Sequence, residues 1–240
     1  MFETPDISHL KAKDYEHVYE PAEDTFLLLD ALQKDYAFIQ KIRPTLCIEV
    51  GCGSGTVTSF VSKLLGSSAH CLATDINGHA TLATMKTALQ NRQSPDVIQM
   101  DLATSFLPRL HGQVDLILFN PPYVVTPSQE PRSVGLVHIL ISLYQFPCVH
   151  VKHNLLKVGI SDITSSWAGG VNGMEVTNRF LPCVCKLLST KSAFYMVAVK
   201  ENKIDKIEQQ MLATGLMMEE VLKRNAGPER LFILKFTRIM

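Results

Sequence analysis

Short apolar segments alternate with helical segments over most of the chain, and this alternation limits the possible folds more than any other feature. The predicted strands are residues 46–50, 69–74, 97–100, 114–119, 194–199, 217–222 and 231–237. Strands joined by helices form parallel sheets with right-handed crossovers, whereas the last two strands predict a hairpin. We therefore expect an α/β fold: a doubly wound, Rossmann-like, seven-stranded and mostly parallel sheet with a C-terminal antiparallel hairpin.

The composition is that of a globular chain with balanced charge. Hydrophobic residues make up 46% of the 240 residues, and 23 Lys and Arg residues match 23 Asp and Glu residues. This balance lacks the basic excess of an autonomous nucleic-acid binder. No apolar run approaches the ~20 residues of a membrane span, and no secretory signal is recognised. We expect reduced cysteines, a cytoplasmic and nuclear location, a flexible arm at residues 1–18 and one domain at 19–240.

A glycine-rich loop follows the first predicted strand. Gly51, Gly53 and Gly55 stand between that strand and the next predicted helix. Glycines at such a position let the backbone turn sharply and approach a ligand closely. A dinucleotide site would have the spacing Gly-x-Gly-x-x-Gly, but here the third glycine comes one residue early and Thr56 occupies its position. This departure argues against NAD, and Glu49 adds a carboxylate just before the loop.

Acidic residues also end the second and third predicted strands. Asp75 comes 20 residues after Gly55, the distance at which a second-strand carboxylate meets ribose hydroxyls. Asp101 follows the third strand directly. Capping of the next helix is an alternative role for each of these acids. Because the carboxyl ends of parallel strands meet along one edge, their recurrence together with Glu49 favours a shared adenosine pocket.

The fourth predicted strand runs into Asn120-Pro121-Pro122-Tyr123. The two prolines fix φ and remove two backbone donors, so the loop offers mainly carbonyl acceptors. Asn120 adds a side-chain acceptor, and Tyr123 adds a flat ring that can stack on a planar amide or base. These groups suit an amino or amide nitrogen that is held while it is attacked. An ordinary turn is the alternative, because Asn-Pro and Pro-Pro are common turn formers.

Four motifs together resemble one enzyme family. They are Glu49-Val50-Gly51-Cys52-Gly53-Ser54-Gly55 with Asp75, Asn120-Pro121-Pro122-Tyr123, Tyr19-Glu20-Pro21-Ala22-Glu23-Asp24-Thr25, and Trp167-Ala168-Gly169-Gly170-Val171-Asn172-Gly173. The Asn-Pro-Pro-Tyr motif alone is shared with DNA adenine methylases. The combination resembles the eukaryotic HemK-type protein glutamine methyltransferases, which are class I enzymes.

This resemblance implies a cofactor, a substrate and a partner. The implied cofactor is S-adenosyl-L-methionine, and the implied acceptor is the glutamine of the Gly-Gly-Gln motif in the class-1 translation release factor. A histone lysine is implied as a second acceptor. The implied partner is a small zinc-binding activator subunit that forms a heterodimer. We expect the uncharged third strand, Val97–Met100, to lie at the edge of the sheet and to pair with this partner.

The resemblance also assigns roles to individual residues. The cofactor contacts that it implies are Thr25, Glu49, Gly51, Gly53, Asp75, Asp101, Leu102 and Asn120. The catalytic residues that it implies, which hold the substrate nitrogen, are Asn120, Pro121, Pro122 and Tyr123. We expect no metal site in this chain.

The chain departs from the family pattern between Pro131 and Trp167. The family joins these points by about ten residues, a usual length for such a connection, but here 35 residues lie between them. We expect an insertion at about 132–160. Cys148, His150 and His153 inside it have metal-like spacing, which we attribute to chance because a fourth ligand is lacking. Two alternatives stay open: a DNA adenine N6-methyltransferase and an inactive methyltransferase-like scaffold subunit.

Overall fold

A seven-stranded mixed sheet lies at the centre of the part of the chain that the computed structural model describes, residues 2–126 and 169–239. Its strands are β1 (Leu46–Val50), β2 (His70–Asp75), β3 (Asp96–Gln99), β4 (Val114–Phe119), β5 (Leu188–Val199), β6 (Leu216–Ala226) and β7 (Glu229–Arg238). The order across the sheet is β3-β2-β1-β4-β5-β7-β6. The first five strands are parallel, and β7 runs antiparallel between β5 and β6. The predicted doubly wound sheet with a C-terminal antiparallel hairpin is confirmed.

Seven α-helices accompany the sheet in the described residues. They are α1 (Glu23–Lys34), α2 (Tyr36–Ile42), α3 (Thr56–Leu65), α4 (Gly78–Gln90), α5 (Leu107–Leu110), α6 (Glu175–Leu187) and α7 (Ile204–Leu212). The sequence does not predict α2 and α5, because helices of 7 and 4 residues are too short to show a helical period. β5 begins at Leu188 rather than at the predicted Phe194, because polar residues interrupt the apolar pattern of its first half. None of the helices in these ranges is long and apolar enough to cross a membrane.

The side chains of β4 pack into the core on both faces of the sheet. Ile117 and Phe119 lie in the cluster formed with α6 and α7. Leu116 and Leu118 lie in the cluster formed with α1 and α3. All four side chains are fully buried. A strand covered on both faces needs no polar side, which explains the unbroken apolar run that precedes Asn120.

Residues 2–18, for which we predicted a flexible arm, lie against the domain. Leu10 and Val18 are buried next to Ala83 of α4. The backbone N–H of Asp6 donates to Oδ1 of Asn91 at 2.8 Å. These contacts place the arm along α4, whereas its flexibility and the domain boundary at residue 18 stay predictions.

The expected insertion at about 132–160 lies outside the described residues, as do three residues discussed above: Cys148, His150 and His153. The described residues on either side of the gap are joined to each other. The N–H of Thr126 donates to the carbonyl of Gly170 at 3.1 Å, and the N–H of Gly170 donates to Oγ1 of Thr126 at 3.0 Å. Thr126 and Gly170, which flank the gap, are therefore neighbours in the structure.

Candidate active site

A cavity of about 420 Å³ opens at the carboxyl ends of β1, β2 and β4. Open α/β sheets bind ligands at this edge, where the strand order reverses between β1 and β4. All the site residues predicted from the sequence line this cavity: Thr25, Glu49, Gly51, Gly53, Asp75, Asp101, Leu102, Asn120, Pro121, Pro122 and Tyr123. The fold thus brings together residues that are widely separated in the sequence, while their individual roles stay predictions.

The carboxylate of Asp75 is bonded to the glycine-rich loop and to the turn that follows β2. The N–H of Gly53 donates to Oδ2 at 3.0 Å, and the N–H of Asn77 donates to Oδ1 at 2.9 Å. Gly53 adopts a φ of +50°, a conformation in which other residues are strained. Burial raises the pKa of Asp75 although both backbone donors oppose the shift. Each oxygen retains a lone pair for a ligand hydroxyl, so Asp75 can shape the loop and bind ribose together.

Glu49, near the end of β1, is buried and lines the cavity. Its Oε2 accepts a hydrogen bond from the hydroxyl of Thr58 in α3. Burial raises the pKa of Glu49 to about 8, and the nearby carboxylate of Asp75 acts in the same direction. The group is therefore mostly protonated at neutral pH. A cation bound beside it would favour the ionised form.

Asp101 and Leu102 line the cavity after the end of β3. Oδ2 of Asp101 forms an ion pair with Nη2 of Arg179 from α6, and both side chains are partly exposed. Leu102 is buried and has a φ of +55°, which is uncommon for a residue other than glycine. The arginine reduces the negative charge that Asp101 presents to the cavity.

The side-chain amide of Asn120 has a defined orientation. Its Nδ2 donates to Oδ2 of Asp24, in the first turn of α1, at 2.9 Å. Its Oδ1 is buried and has no hydrogen-bond partner among the described residues. A buried acceptor without a partner is destabilising by about 1–3 kcal/mol. Because Asn120 lines the cavity, a ligand N–H group that bonds to Oδ1 would remove this penalty.

The backbone of the Asn120–Tyr123 loop is held by residues from the C-terminal part of the chain. Nδ2 of Asn202 donates to the carbonyl of Tyr123 at 3.0 Å. Gly173 lies against the same carbonyl with a φ of +66°, and a Cβ at this position would collide with it. The close approach explains why a glycine is required in this motif.

Two phenols lie near Asp24. The hydroxyl of Tyr19 donates to Oδ1 of Asp24 at 3.1 Å. Burial and the charge of Asp24 raise the pKa of both Tyr19 and Tyr123. These phenols therefore stay protonated at neutral pH and do not act as bases. Burial and Asp24 also raise the pKa of Glu229, which reaches the cavity from the β6–β7 hairpin.

Sequence reasoning gave no individual role to several polar residues of the cavity. The main ones are Tyr19, Asp24, Arg179 and Glu229. Asp24 had a local signal, because acids in the first turn of a helix near other site motifs are candidates for a ligand contact. Arg179 and Glu229 have no local signal, because they reach the cavity only when α6 and the hairpin are in place.

The charges of the cavity fit a cationic adenosine cofactor. Five carboxyl groups and one arginine are found among its described lining residues: Asp24, Glu49, Asp75, Asp101, Glu229 and Arg179. Such a lining attracts a sulfonium, beside which the protonated Glu49 can ionise, and it opposes the phosphates of a dinucleotide. Asp75 offers hydroxyl acceptors beside a glycine loop that admits a ligand closely. Within residues 2–126 and 169–239, no group of His, Cys, Asp or Glu is arranged to hold a metal ion.

Known proteins with similar sequences are methyltransferases. The "Methyltransferase small domain" family matches residues 22–138. Methyltransferase HEMK2 of Homo sapiens is 41% identical over 237 residues, which are 99% of this chain and 97% of the human protein. The eRF1 methyltransferase catalytic subunit mtq2 of Schizosaccharomyces pombe is 37% identical over 249 residues, covering 100% of this chain and 97% of that protein.

A solved structure shares the fold. It is the E. cuniculi Mtq2-Trm112 complex, described as responsible for the methylation of the eRF1 translation termination factor. The match has a TM-score of 0.59 at 20% sequence identity, and it covers 93% of this chain and 99% of that chain. At this identity the likeness concerns the arrangement of helices and strands.

Proposed function

The chain belongs to the family of HEMK2 and mtq2 and is a methyltransferase, and from this premise we propose that it methylates the side-chain amide of a glutamine with S-adenosyl-L-methionine. The proposed substrate is the Gly-Gly-Gln motif of the class-1 translation release factor, because mtq2 is named an eRF1 methyltransferase catalytic subunit. One observation carries the choice of an amide acceptor. The buried Oδ1 of Asn120 lines the cavity and lacks a partner among the described residues.

The cofactor would occupy the part of the cavity lined by the ends of β1, β2 and β3. Asp75 would accept the ribose hydroxyls, Glu49 would lie near the cationic group, and Asp101 with Leu102 would lie near the adenine. Thr25, Gly51 and Gly53 would complete this part of the wall. When bound, S-adenosyl-L-methionine supplies an electrophilic methyl group on its sulfonium sulfur. The acidic lining supports this assignment, because it favours a cation over a phosphate.

The acceptor amide would be held by Asn120 and by the loop that follows it. Oδ1 of Asn120 and the carbonyl of Pro121 would accept the two N–H groups of the glutamine amide. Delocalisation makes this nitrogen a poor nucleophile, and acceptors on both N–H groups favour the positive charge that develops on it. Positioning in this way contributes up to ~7–11 kcal/mol in the best intramolecular cases. The neutral phenols of Tyr19 and Tyr123 shape the site without acting as bases.

Mass spectrometry of a Gly-Gly-Gln peptide or of the release factor, incubated with the chain and the cofactor, tests this function. We expect one methyl group on the glutamine, and at least about 10²-fold less product in the same time with Asn120→Ala. Peptides with lysine in place of glutamine show whether a histone-like acceptor is also used. Methylation of adenine in DNA, with no product on peptides, would favour a DNA methylase. Cofactor binding in calorimetry without transfer to any acceptor would favour the scaffold.

We further propose that a small zinc-binding activator subunit pairs with the β3 edge, in line with the solved Mtq2-Trm112 complex. Among the described strands, β3 is the outermost on its side of the sheet. Next to it, α4 exposes Leu82, Met85 and Leu89, whose exposed fractions are 56%, 54% and 78%. Their spacing places them on one face of the helix. An open strand edge beside an apolar helix face supports strand addition by a partner.

The opposite edge of the sheet serves as a control. β6 carries four charged residues, Glu219, Glu220, Lys223 and Arg224, and charge protects an edge from pairing. We expect Ile98→Lys in β3 to abolish co-purification with the activator and to lower solubility. Met217→Lys, an exposed substitution in β6, should leave the complex intact. A monodisperse and fully active chain without any partner, seen by light scattering and activity assays, would refute the heterodimer.

We also propose that the protein is located in the cytoplasm and the nucleus. Cys47, Cys52, Cys71 and Cys183 are buried and free, which supports a reducing compartment. Imaging of the tagged full chain tests the location, and secretion of the protein would contradict it.

A further inference from the structure

The amide of Asn120 has two possible orientations, which differ by a 180° rotation that exchanges its oxygen and nitrogen. Only one of them presents the oxygen to the cavity. That orientation requires an acceptor behind the nitrogen, and Oδ2 of Asp24 provides it at 2.9 Å. If the amide were reversed, its oxygen would face the carboxylate and its NH2 group would face the ligand. A ligand amide offering N–H groups would then find no side-chain acceptor.

Asp24 is itself fixed by its own contacts. It is 2% exposed, and its Oδ1 accepts from the N–H of Thr25 at 2.7 Å and from the hydroxyl of Tyr19 at 3.1 Å. Its position in the first turn of α1 places the carboxyl group near the positive end of the helix dipole. Both oxygens of Asp24 act as acceptors in these contacts, so the nitrogen of Asn120 is the atom that faces it.

We propose that Asp24 is a positioning residue of the methyl-transfer reaction: with Tyr19 and Thr25 it holds the Asn120 amide so that its oxygen faces the acceptor nitrogen. The inference rests on the proposed function, because it takes an N–H donor as the group that Asn120 receives. The residue acts through Asn120 and needs no contact with substrate. Its loss should therefore affect turnover much more than the binding of the cofactor.

The variant Asp24→Asn tests this arrangement sharply. Thr25 and Tyr19 both donate to one side of the residue 24 carboxyl group, so the retained oxygen stays on that side. The new NH2 group then faces Asn120 and forces its amide to reverse. We expect turnover to fall by about 10–100-fold, approaching the effect of removing a preorganised polar group. Cofactor affinity should fall by less than about fivefold, because one charge of the acidic lining is lost while the ends of β1 to β3 are untouched.

A reciprocal exchange distinguishes positioning from general damage. In the double variant Asp24→Asn with Asn120→Asp, the amide at 24 donates to one oxygen of residue 120, and the other oxygen faces the cavity. We expect the double variant to be at least about tenfold more active than Asp24→Asn alone, a recovery that a packing defect would not give. Asp30→Asn is the matched control, because Asp30 lies in the same helix and pairs on the surface with Arg224. It should retain full turnover.

A second readout does not require a substrate. In 1H–15N spectra of the full chain, the side-chain NH2 resonances of Asn120, assigned by their loss in Asn120→Asp, should shift in Asp24→Asn and stay unchanged in Asp30→Asn. Unchanged resonances, turnover in Asp24→Asn within twofold of the wild type, or no recovery in the double variant would overturn the inference. If the wild type modifies no glutamine, the proposed function fails, and the spectra still decide whether Asp24 orients Asn120.

Discussion

The cavity has two halves that are assembled differently. The cofactor half is lined by Glu49, Gly53, Asp75 and Asp101, and the acceptor half is lined by the loop Asn120–Tyr123. In the cofactor half, the partners are close in the sequence: Asp75 binds Gly53, 22 positions away. In the acceptor half, Asn120 binds Asp24 at a separation of 96 positions, and Tyr123 binds Asn202 at a separation of 79. The Asp75–Gly53 contact forms within consecutive strand-loop-helix units. The two contacts of the acceptor half form only when the N-terminal helix, β4 and the C-terminal part of the domain have come together.

This difference predicts separate functions for the halves. The cofactor half is acidic, so changes in it alter the affinity for a cationic ligand. The acceptor half ends in a buried oxygen without a partner among the described residues, so that changes in it alter what that oxygen can do during the reaction. Variants in one half are therefore controls for variants in the other.

The largest effect is expected for Asn120→Ala in the acceptor half. The substitution removes the buried acceptor and leaves the glycine loop and Asp75 in place. Turnover should fall by about 10²–10³-fold, the scale for loss of one preorganised polar group. The dissociation constant of the cofactor, measured by calorimetry, should stay within about threefold. A parallel loss of cofactor binding and turnover would show that the two halves do not act separately.

Asp75→Ala should give the reverse result in the cofactor half. It removes the proposed acceptor for the ribose hydroxyls, and hydrogen bonds to a charged group contribute ~1.5–3 kcal/mol, or roughly 10–150-fold in affinity. The same change releases the N–H groups of Gly53 and Asn77, so the loop loses its anchor. Asp75→Asn, which retains one oxygen, should lose less affinity. If calorimetry shows the same dissociation constant for Asp75→Ala and the wild type, Asp75 does not bind ribose.

The protonation of Glu49 gives a prediction without any ligand. Its pKa is raised from 4.5 to about 8 by burial, so the folded state holds this proton more tightly than the unfolded chain. This proton therefore stabilises the folded state fully below about pH 4.5, and the stabilisation is lost as the pH rises through about 8. In this window the free energy of unfolding changes by up to ~1.4 kcal/mol per pH unit.

Urea denaturation at pH 6 and pH 8 measures this effect. We expect the wild type to lose roughly 2 kcal/mol more stability between these values than Glu49→Gln does. Asp75, whose pKa is also raised by burial, acts in the same direction in both proteins and so cancels in the comparison. Glu208→Gln, an exposed substitution in α7, should keep the slope of the wild type. Equal slopes in the wild type and Glu49→Gln would mean that Glu49 is ionised in the folded protein.

The same contrast explains what the sequence could reveal. Strand ends and loop spacing were enough to predict that Glu49, Asp75 and Asn120 meet at one edge of the sheet, because parallel topology determines that edge. The hydrogen bond from Asn120 to Asp24 could not be derived in this way, because it depends on how α1 packs against β4. The raised pKa of Glu49 also escaped prediction, because it follows from complete burial that a five-residue strand does not disclose.

The smallest effect is expected where the two halves meet. Arg179, from the helix that follows the acceptor-side glycines, pairs with Asp101 of the cofactor half, and their side chains are 56% and 39% exposed. Ion pairs this accessible contribute about 0–1 kcal/mol because water and salt screen them.

Arg179→Ala removes a cation from an acidic lining, so cofactor affinity should rise slightly, by less than about fivefold, and the gain should disappear at high salt. Lys186→Ala, which removes an exposed cation from the same helix, should leave the cofactor affinity unchanged at low and at high salt. If the cofactor affinity of Arg179→Ala instead falls, and stays lower at high salt, then Arg179 binds the cofactor directly. In that case α6 belongs to the cofactor half.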